Sequence, residues 1–186
     1  MQQNTVFSGE YSRRDIFLVM TLVYIFGVIC RYYWVVWTLG MDEFWLNGVP
    51  LLTTNDAFAN AEGARDMLAG FHQKGDLSPY GASIPTLTFL ISNILSSNVD
   101  TVAFYSSIFL SPLLAVPVIL ISREYKMLSV GVVASLLAVS APGYYIWTMG
   151  GYFDSDMLNI TLPALTVWSL IKLVKSRSNK DIFLPD

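Results

Sequence analysis

Charge is scarce in this chain. Asp, Glu, Lys and Arg make up 13% of its 186 residues and hydrophobic side chains 54%, whereas a soluble domain is roughly a quarter charged. A soluble globule is excluded on that ground. A single cysteine, Cys30, excludes an internal disulfide and any cysteine-rich metal site, and a single histidine, His72, excludes histidine clusters. Ligand chemistry is thereby left to carboxylates. There is no basic block, and the formal net charge is −3, so the electrostatic footprint of a nucleic-acid binder is missing and no such partner is expected.

What the chain has instead is long uncharged runs. Thr101 to Ser122 carries 22 residues without a charge and Met127 to Phe153 carries 27, lengths suited to a bilayer core of about 30 Å. The expected fold is an all-α polytopic membrane protein with about four transmembrane helices, near 16–38, 101–122, 127–146 and 157–174. A large, partly helical external loop is expected over 40–100. Residues 1–15 then form a cytoplasmic N-terminus and 176–186 a cytoplasmic tail. Arg31, near the far end of the first span, is expected to snorkel to the interface, where Tyr32, Tyr33, Trp34 and Trp37 would settle. The segment 77–99 is rich in Ser, Thr, Asn, Gly and Pro, and reads as an amphipathic piece lying at the interface.

Basic residues are sorted along the chain. With the N-terminus cytoplasmic, eight of the eleven Lys and Arg residues fall inside and nine of the fourteen acids outside, satisfying the positive-inside rule. Five spans with the N-terminus outside satisfy it too, if 77–99 crosses. The polarity of 77–99 and the leading Arg13-Arg14 pair favour four.

Two carboxylate sites then share the external face. Asp56 lies where Ala57, Ala61, Ala64, Leu68 and Phe71 begin to recur at helical spacing, predicting a helix from near Asp56 to near Gly70. Its plainest job is that Asn55 or Asp56 caps this helix. Asp154 and Asp156 flank Ser155; in extended backbone they point the same way, in a helix they diverge. Two hard oxygen ligands suit Mg²⁺ or Mn²⁺, and the rival reading is a cap on a helix opening at Met157. Glu62 and Arg65 read as a surface pair and His72 as a loop residue. Tyr144, Tyr145, Trp147 and Tyr152 read first as an interfacial belt, with a substrate groove as the other option.

In combination these motifs resemble the N-terminal part of the oligosaccharyltransferase catalytic subunit, most of all the single-subunit bacterial enzymes of the PglB type. The residues that carry the likeness are Thr54-Asn55-Asp56, Ala61-Glu62-Gly63-Ala64-Arg65-Asp66-Met67, Ala69-Gly70-Phe71-His72-Gln73, Asp76-Leu77-Ser78 and Tyr80-Gly81. It continues in Ser122-Arg123-Glu124-Tyr125-Lys126, Thr148-Met149 and Gly151-Tyr152-Phe153-Asp154-Ser155-Asp156-Met157-Leu158. The resemblance runs from about Arg13 to about Lys175. It implies a GT-C type fold in the bacterial inner membrane with a periplasmic active site. The implied reaction moves an oligosaccharide from a polyprenyl-pyrophosphate carrier to the asparagine of Asn-x-Ser/Thr sequons. Asp56 and Asp154 would be ligands of Mg²⁺ or Mn²⁺, Asp56 would also contact the acceptor amide, and Asp156 would organise the metal site. Donor lipid, acceptor polypeptide and membrane lipids are the implied partners.

Several family features are not matched. The later external loop with another acidic metal ligand and the C-terminal extracytoplasmic domain have no counterpart, and Trp147 stands where close relatives carry a basic residue. The expectation is the first four spans of a truncated, split or deliberately shortened enzyme, inactive alone and completed by the missing C-terminal part. Two alternatives are a non-catalytic membrane assembly subunit and another polyprenyl-dependent glycosyltransferase of the same architecture.

Overall fold

The computed structural model describes residues 11–181; residues 1–10 of the expected cytoplasmic N-terminus and 182–186 of the expected tail lie outside the described residues. Helix α1, Arg13–Thr38, starts at a capping box: the Ser12 side chain accepts from the Asp15 N–H, and the Asp15 carboxylate accepts from the Ser12 N–H. A hairpin follows, with β1 (Trp45–Leu46) paired antiparallel to β2 (Val49–Pro50). Its Asn47-Gly48 turn has φ of 52° and 79°, the left-handed pair favoured in two-residue hairpins. Next come α2, Asn55–Ala69, and α3, Ser83–Leu95.

The second long rod is α4 (Val99–Leu110), a 3₁₀ turn (Ser111–Leu114) containing Pro112, and α5 (Ala115–Glu124). It turns sharply into α6, Leu128–Ser140. A short α7, Pro142–Ile146, leads into the loop 147–155, then α8 (Asp156–Asn159) and α9 (Thr161–Asp181). Three helical stretches are long and apolar enough to cross a membrane: Arg13–Thr38, Val99–Glu124 and Asp156–Arg177. The protein is a membrane protein, and the bulky apolar residues on the outside fit that solvent: Phe17, Leu22 and Ile29 of α1 and Leu170, Leu173 and Val174 of α9 are exposed. Ser106, Ser107, Ser111 and Ser135 are buried between the helices instead, small residues that let helix backbones approach closely.

The segment expected to be a third span is not one helix. Its 13-residue α6 reaches only about 20 Å at 1.5 Å per residue. The break falls at Ala141, whose ψ of 127° is the extended geometry that a following proline imposes. Segment 77–99 likewise holds a 13-residue helix. Helix α3 turns Pro85, Thr88 and Ser92 inward and leaves Leu90, Ile94 and Leu95 exposed.

Two apolar clusters stack along the bundle. One joins Val35, Leu52, Ala57, Ala61, Val99, Phe104, Phe153 and Met157; the other joins Ile16, Val23, Leu114, Ile119, Leu128 and Val139. The end of α1, the start of α4 and the start of α8 therefore share one end of the molecule. The start of α1, the end of α5 and the start of α6 share the other, where Lys175 of α9 donates to the Glu124 carbonyl and lies over the Tyr125 ring. Between those ends the chain makes four passes, α6 with α7 being the third.

Close packing is set by small residues. A Cβ added at Gly27 would lie 2.8 Å from the Pro112 Cβ, and one at Gly131 would lie 1.8 Å from the Ser122 Oγ. Helix α2 shows a similarly slim inner face, Ala57, Ala61, Gly63 and Ala64, and a Cβ at Gly63 would stand 3.2 Å from Pro79 and Pro85.

Candidate functional site

The first carboxylate belongs to α2. Thr54 is its N-cap, the hydroxyl accepting from the Ala57 N–H at 3.1 Å, and Gly70 ends the helix in a left-handed conformation with φ of 66°. The cap is therefore neither Asn55 nor Asp56. Asp56 stands in the exposed first turn, where the helix dipole favours a negative charge. Its carboxylate is left available to a ligand.

The other two carboxylates belong to the loop 147–155 and to α8. Gly151, with φ of 85°, allows the loop to turn beneath the end of the hairpin segment: a Cβ there would lie 3.0 Å from the Leu51 carbonyl oxygen. Thr53 donates its N–H to the Gly151 carbonyl at 3.0 Å, Gly151 donates to the Phe104 carbonyl at 3.3 Å, and the Ser107 hydroxyl donates to the Tyr152 carbonyl at 2.6 Å. Phe153 and Met157 are fully buried in the cluster that contains Leu52 and Ala57. Asp154 thus sits between two buried anchors, in a segment bonded through Gly151 to Thr53, three residues before Asp56.

The backbone at Ser155 is helical in sense, with φ −58° and ψ −21°, so the extended arrangement considered from sequence does not occur. Asp154 Oδ1 accepts from the Ser155 N–H at 2.5 Å and Asp156 Oδ1 from the Asn159 side chain at 3.1 Å. Neither carboxylate caps a helix opening at Met157. The three acids nonetheless share a neighbour. Burial raises the Tyr152 phenol above its ordinary value, and the negative charges of Asp156, Asp154 and Asp56 raise it further. Among the described residues, none of the three carboxylates is in an ion pair.

That donor set, hard oxygens without a cationic partner among the described residues, fits a divalent cation in general. The three are not drawn into a tight cage: the group of acidic and histidine ligand atoms lying within 4.8 Å of one another, among the described residues, is Asp66, His72 and Asp76. That trio is satisfied internally. His72 Nδ1 lies 2.8 Å from Asp66 Oδ2, the Ser78 hydroxyl donates to the same oxygen, and Asp76 accepts from the Ser78 N–H. His72, read from sequence as a loop residue, stacks on Tyr80 and ties the loop to α2.

Four side chains behave differently from what the sequence predicts. Arg65 does pair with Glu62, at 2.5 Å, but its other arm reaches Asp100 and joins α2 to α4. Arg31 does not snorkel: it is 0% exposed. Tyr144 and Tyr145 do not lie in an outer belt but turn inward against the Arg31 guanidinium. Trp147 is exposed, edge-on to Tyr152. With Tyr144, Asp156, Asn159 and Ile160 it lines a cavity of about 320 Å³ beside the carboxylates.

The family description "Oligosaccharyl transferase STT3, N-terminal" matches residues 14–185. The chain belongs to that family. It is also 44% identical over 168 residues, 90% of its length, to the undecaprenyl-diphosphooligosaccharide–protein glycotransferase of Campylobacter jejuni subsp. jejuni serotype O:2. The same-named protein of Campylobacter jejuni strain RM1221 is 43% identical over the same 168 residues. The chain spans 23% of the length of each of these relatives. Its STT3 membership covers the elements that hold Asp56, Asp154 and Asp156.

Proposed function

We propose that this chain supplies the metal-facing wall of a membrane oligosaccharyltransferase that transfers an oligosaccharide from a polyprenyl-pyrophosphate carrier to asparagine in Asn-x-Ser/Thr sequons. The observation that carries the reading is that the segment leading into Asp56 is bonded to the loop that carries Asp154, through the Thr53 N–H and the Gly151 carbonyl, and shares one apolar cluster with Phe153 and Met157; among the described residues none of the three acids is in an ion pair. Family membership supports it, as does the name of the Campylobacter relatives.

An amide nitrogen is a poor nucleophile because its lone pair is delocalised into the carbonyl. A carboxylate held against the amide N–H favours rotation out of conjugation, and Asp56 would take that role; its exposure and freedom from capping duty support the reading. Asp154 and Asp56 would hold Mg²⁺ or Mn²⁺, with Asp156 orienting the site. A bound divalent cation offsets negative charge at a leaving pyrophosphate. The exposed apolar faces let the lipid donor arrive laterally while a peptide reaches the same end from water. With the N-terminus cytoplasmic, that end is extracytoplasmic, periplasmic in a bacterial inner membrane.

The test is glycosylation of a sequon reporter in cells, by this chain alone and with the segments of a relative that lie beyond the match supplied in trans. Activity is expected only with both pieces, and Asp56→Asn or Asp154→Asn should reduce it to background. Full activity in both variants would exclude the carboxylate assignment and favour a non-catalytic assembly subunit. Glycosyl transfer to another acceptor, with sequon peptides refused, would point to a different polyprenyl-dependent enzyme.

A further inference from the structure

Arg31 is a buried charge in the middle of the bundle that the proposed chemistry does not use. Four of its N–H donors are engaged: Nε to the Thr148 carbonyl at 3.1 Å, Nη2 to the Thr148 hydroxyl at 2.7 Å, and Nη1 to the carbonyls of Val139 at 3.0 Å and Gly27 at 3.2 Å. The Tyr144 and Tyr145 rings lie 5.3 and 5.8 Å from the guanidinium carbon. No carboxylate pairs with it among the described residues.

Its partners lie on either side of a discontinuity. Val139 is in the last turn of α6, whose carbonyls lose helical partners at the break before Pro142. Thr148 lies just past α7, where the chain leaves helix and runs to Gly151 and Asp154. A cation is favoured at such carbonyl-rich helix ends, and the planar fork of arginine presents five donors in a fixed spread, against three clustered on the single nitrogen of an ammonium. The far side of the loop is held by Thr53, Phe104 and Ser107. The near side is held through Thr148, whose hydroxyl donates in turn to the Tyr144 carbonyl.

We propose that Arg31 is a positioning residue: by clamping Thr148 to α1 and to the end of α6, it sets the register in which Asp154 and Asp156 stand beside Asp56. The proposal rests on the carboxylate reading above. It is tested on the full chain in lipid nanodiscs with Arg31→Met, Arg31→Lys and Thr148→Val, by amide hydrogen exchange and by Mn²⁺ titration followed by electron paramagnetic resonance. Arg31→Met should speed exchange over 147–156 by about tenfold while α2 and α4 keep their protection, and weaken Mn²⁺ binding by about tenfold. Arg31→Lys should fall between, because one ammonium recovers part of the carbonyl contacts. Exchange rising evenly throughout the bundle, or a folded Arg31→Met chain with unaltered exchange at 147–156, would overturn the proposal. So would unaltered Mn²⁺ affinity where the unmodified chain binds the ion through Asp56. If Arg31→Met does not fold, Thr148→Val decides: it should loosen 147–156 in the same direction, and an unchanged loop overturns the proposal. A chain that binds no Mn²⁺ through Asp56 sinks the metal reading alone, and the exchange measurement then decides the role of Arg31.

Discussion

At the scale of single residues, the proposed site depends on which side chains are spared local duties. Thr54 takes the cap and so frees Asp56. Asn159 and the Ser155 N–H each occupy one oxygen of an acid and leave the other. Tyr152 reports on all three carboxylates because their negative charges disfavour its phenolate. Removing one charge stabilises the phenolate, so Asp56→Asn, Asp154→Asn and Asp156→Asn should each lower the Tyr152 pKa from its raised value. Carbon-13 labelling at the tyrosine Cζ, assigned with Tyr152→Phe, follows that titration. A divalent cation bound among the acids should shift it the same way. An unmoved Tyr152 in Asp56→Asn would mean that Asp56 does not face the loop.

At the scale of elements, α2 was largely legible in the sequence: alanine spacing and Gly70 placed its extent, although the cap lies at Thr54 rather than one or two residues later. The sorting of charge along the chain placed Asp56 and the 154–156 segment on one face, but not the contact between their segments. Spacing is silent about the Thr53–Gly151 bond that connects segments nearly a hundred positions apart. Arg31 was misread for a similar reason. Its acceptors at Val139 and Thr148 are 108 and 117 residues away, and a lone arginine near a span end normally reaches for water. The stretch 127–146 is α6 and α7 with a break at Ala141 before Pro142, a break that an unbroken apolar run does not announce. Helix contact is sensitive at Gly131, where a Cβ would overlap both the Oγ and the Cβ of Ser122. Gly131→Ala should cost about 1–3 kcal/mol through overpacking, read as a lower unfolding midpoint in detergent. Adding Ser122→Gly should recover most of the loss.

At the scale of the whole molecule, four passes between two stacked clusters place the carboxylates at one end and the Tyr125 turn at the other. Single cysteines introduced as Lys74→Cys and Tyr125→Cys, each in a Cys30→Ser background, should label from opposite sides of the membrane with an impermeant reagent. Labelling from the same side would support the five-span arrangement. The tight turn between α5 and α6 also bears on how the chain is made. With only 13 residues, α6 is shorter than the roughly 20 that a transmembrane helix needs, while the Val99–Glu124 rod before it is ample. The two should leave the translocon together, as one hairpin. In a cell-free translation assay with glycosylation tags, residues 128–146 placed alone in a carrier protein should fail to insert, whereas 99–146 should insert as a pair. Synthesis of the membrane wall would then be committed before Asp154 emerges from the ribosome.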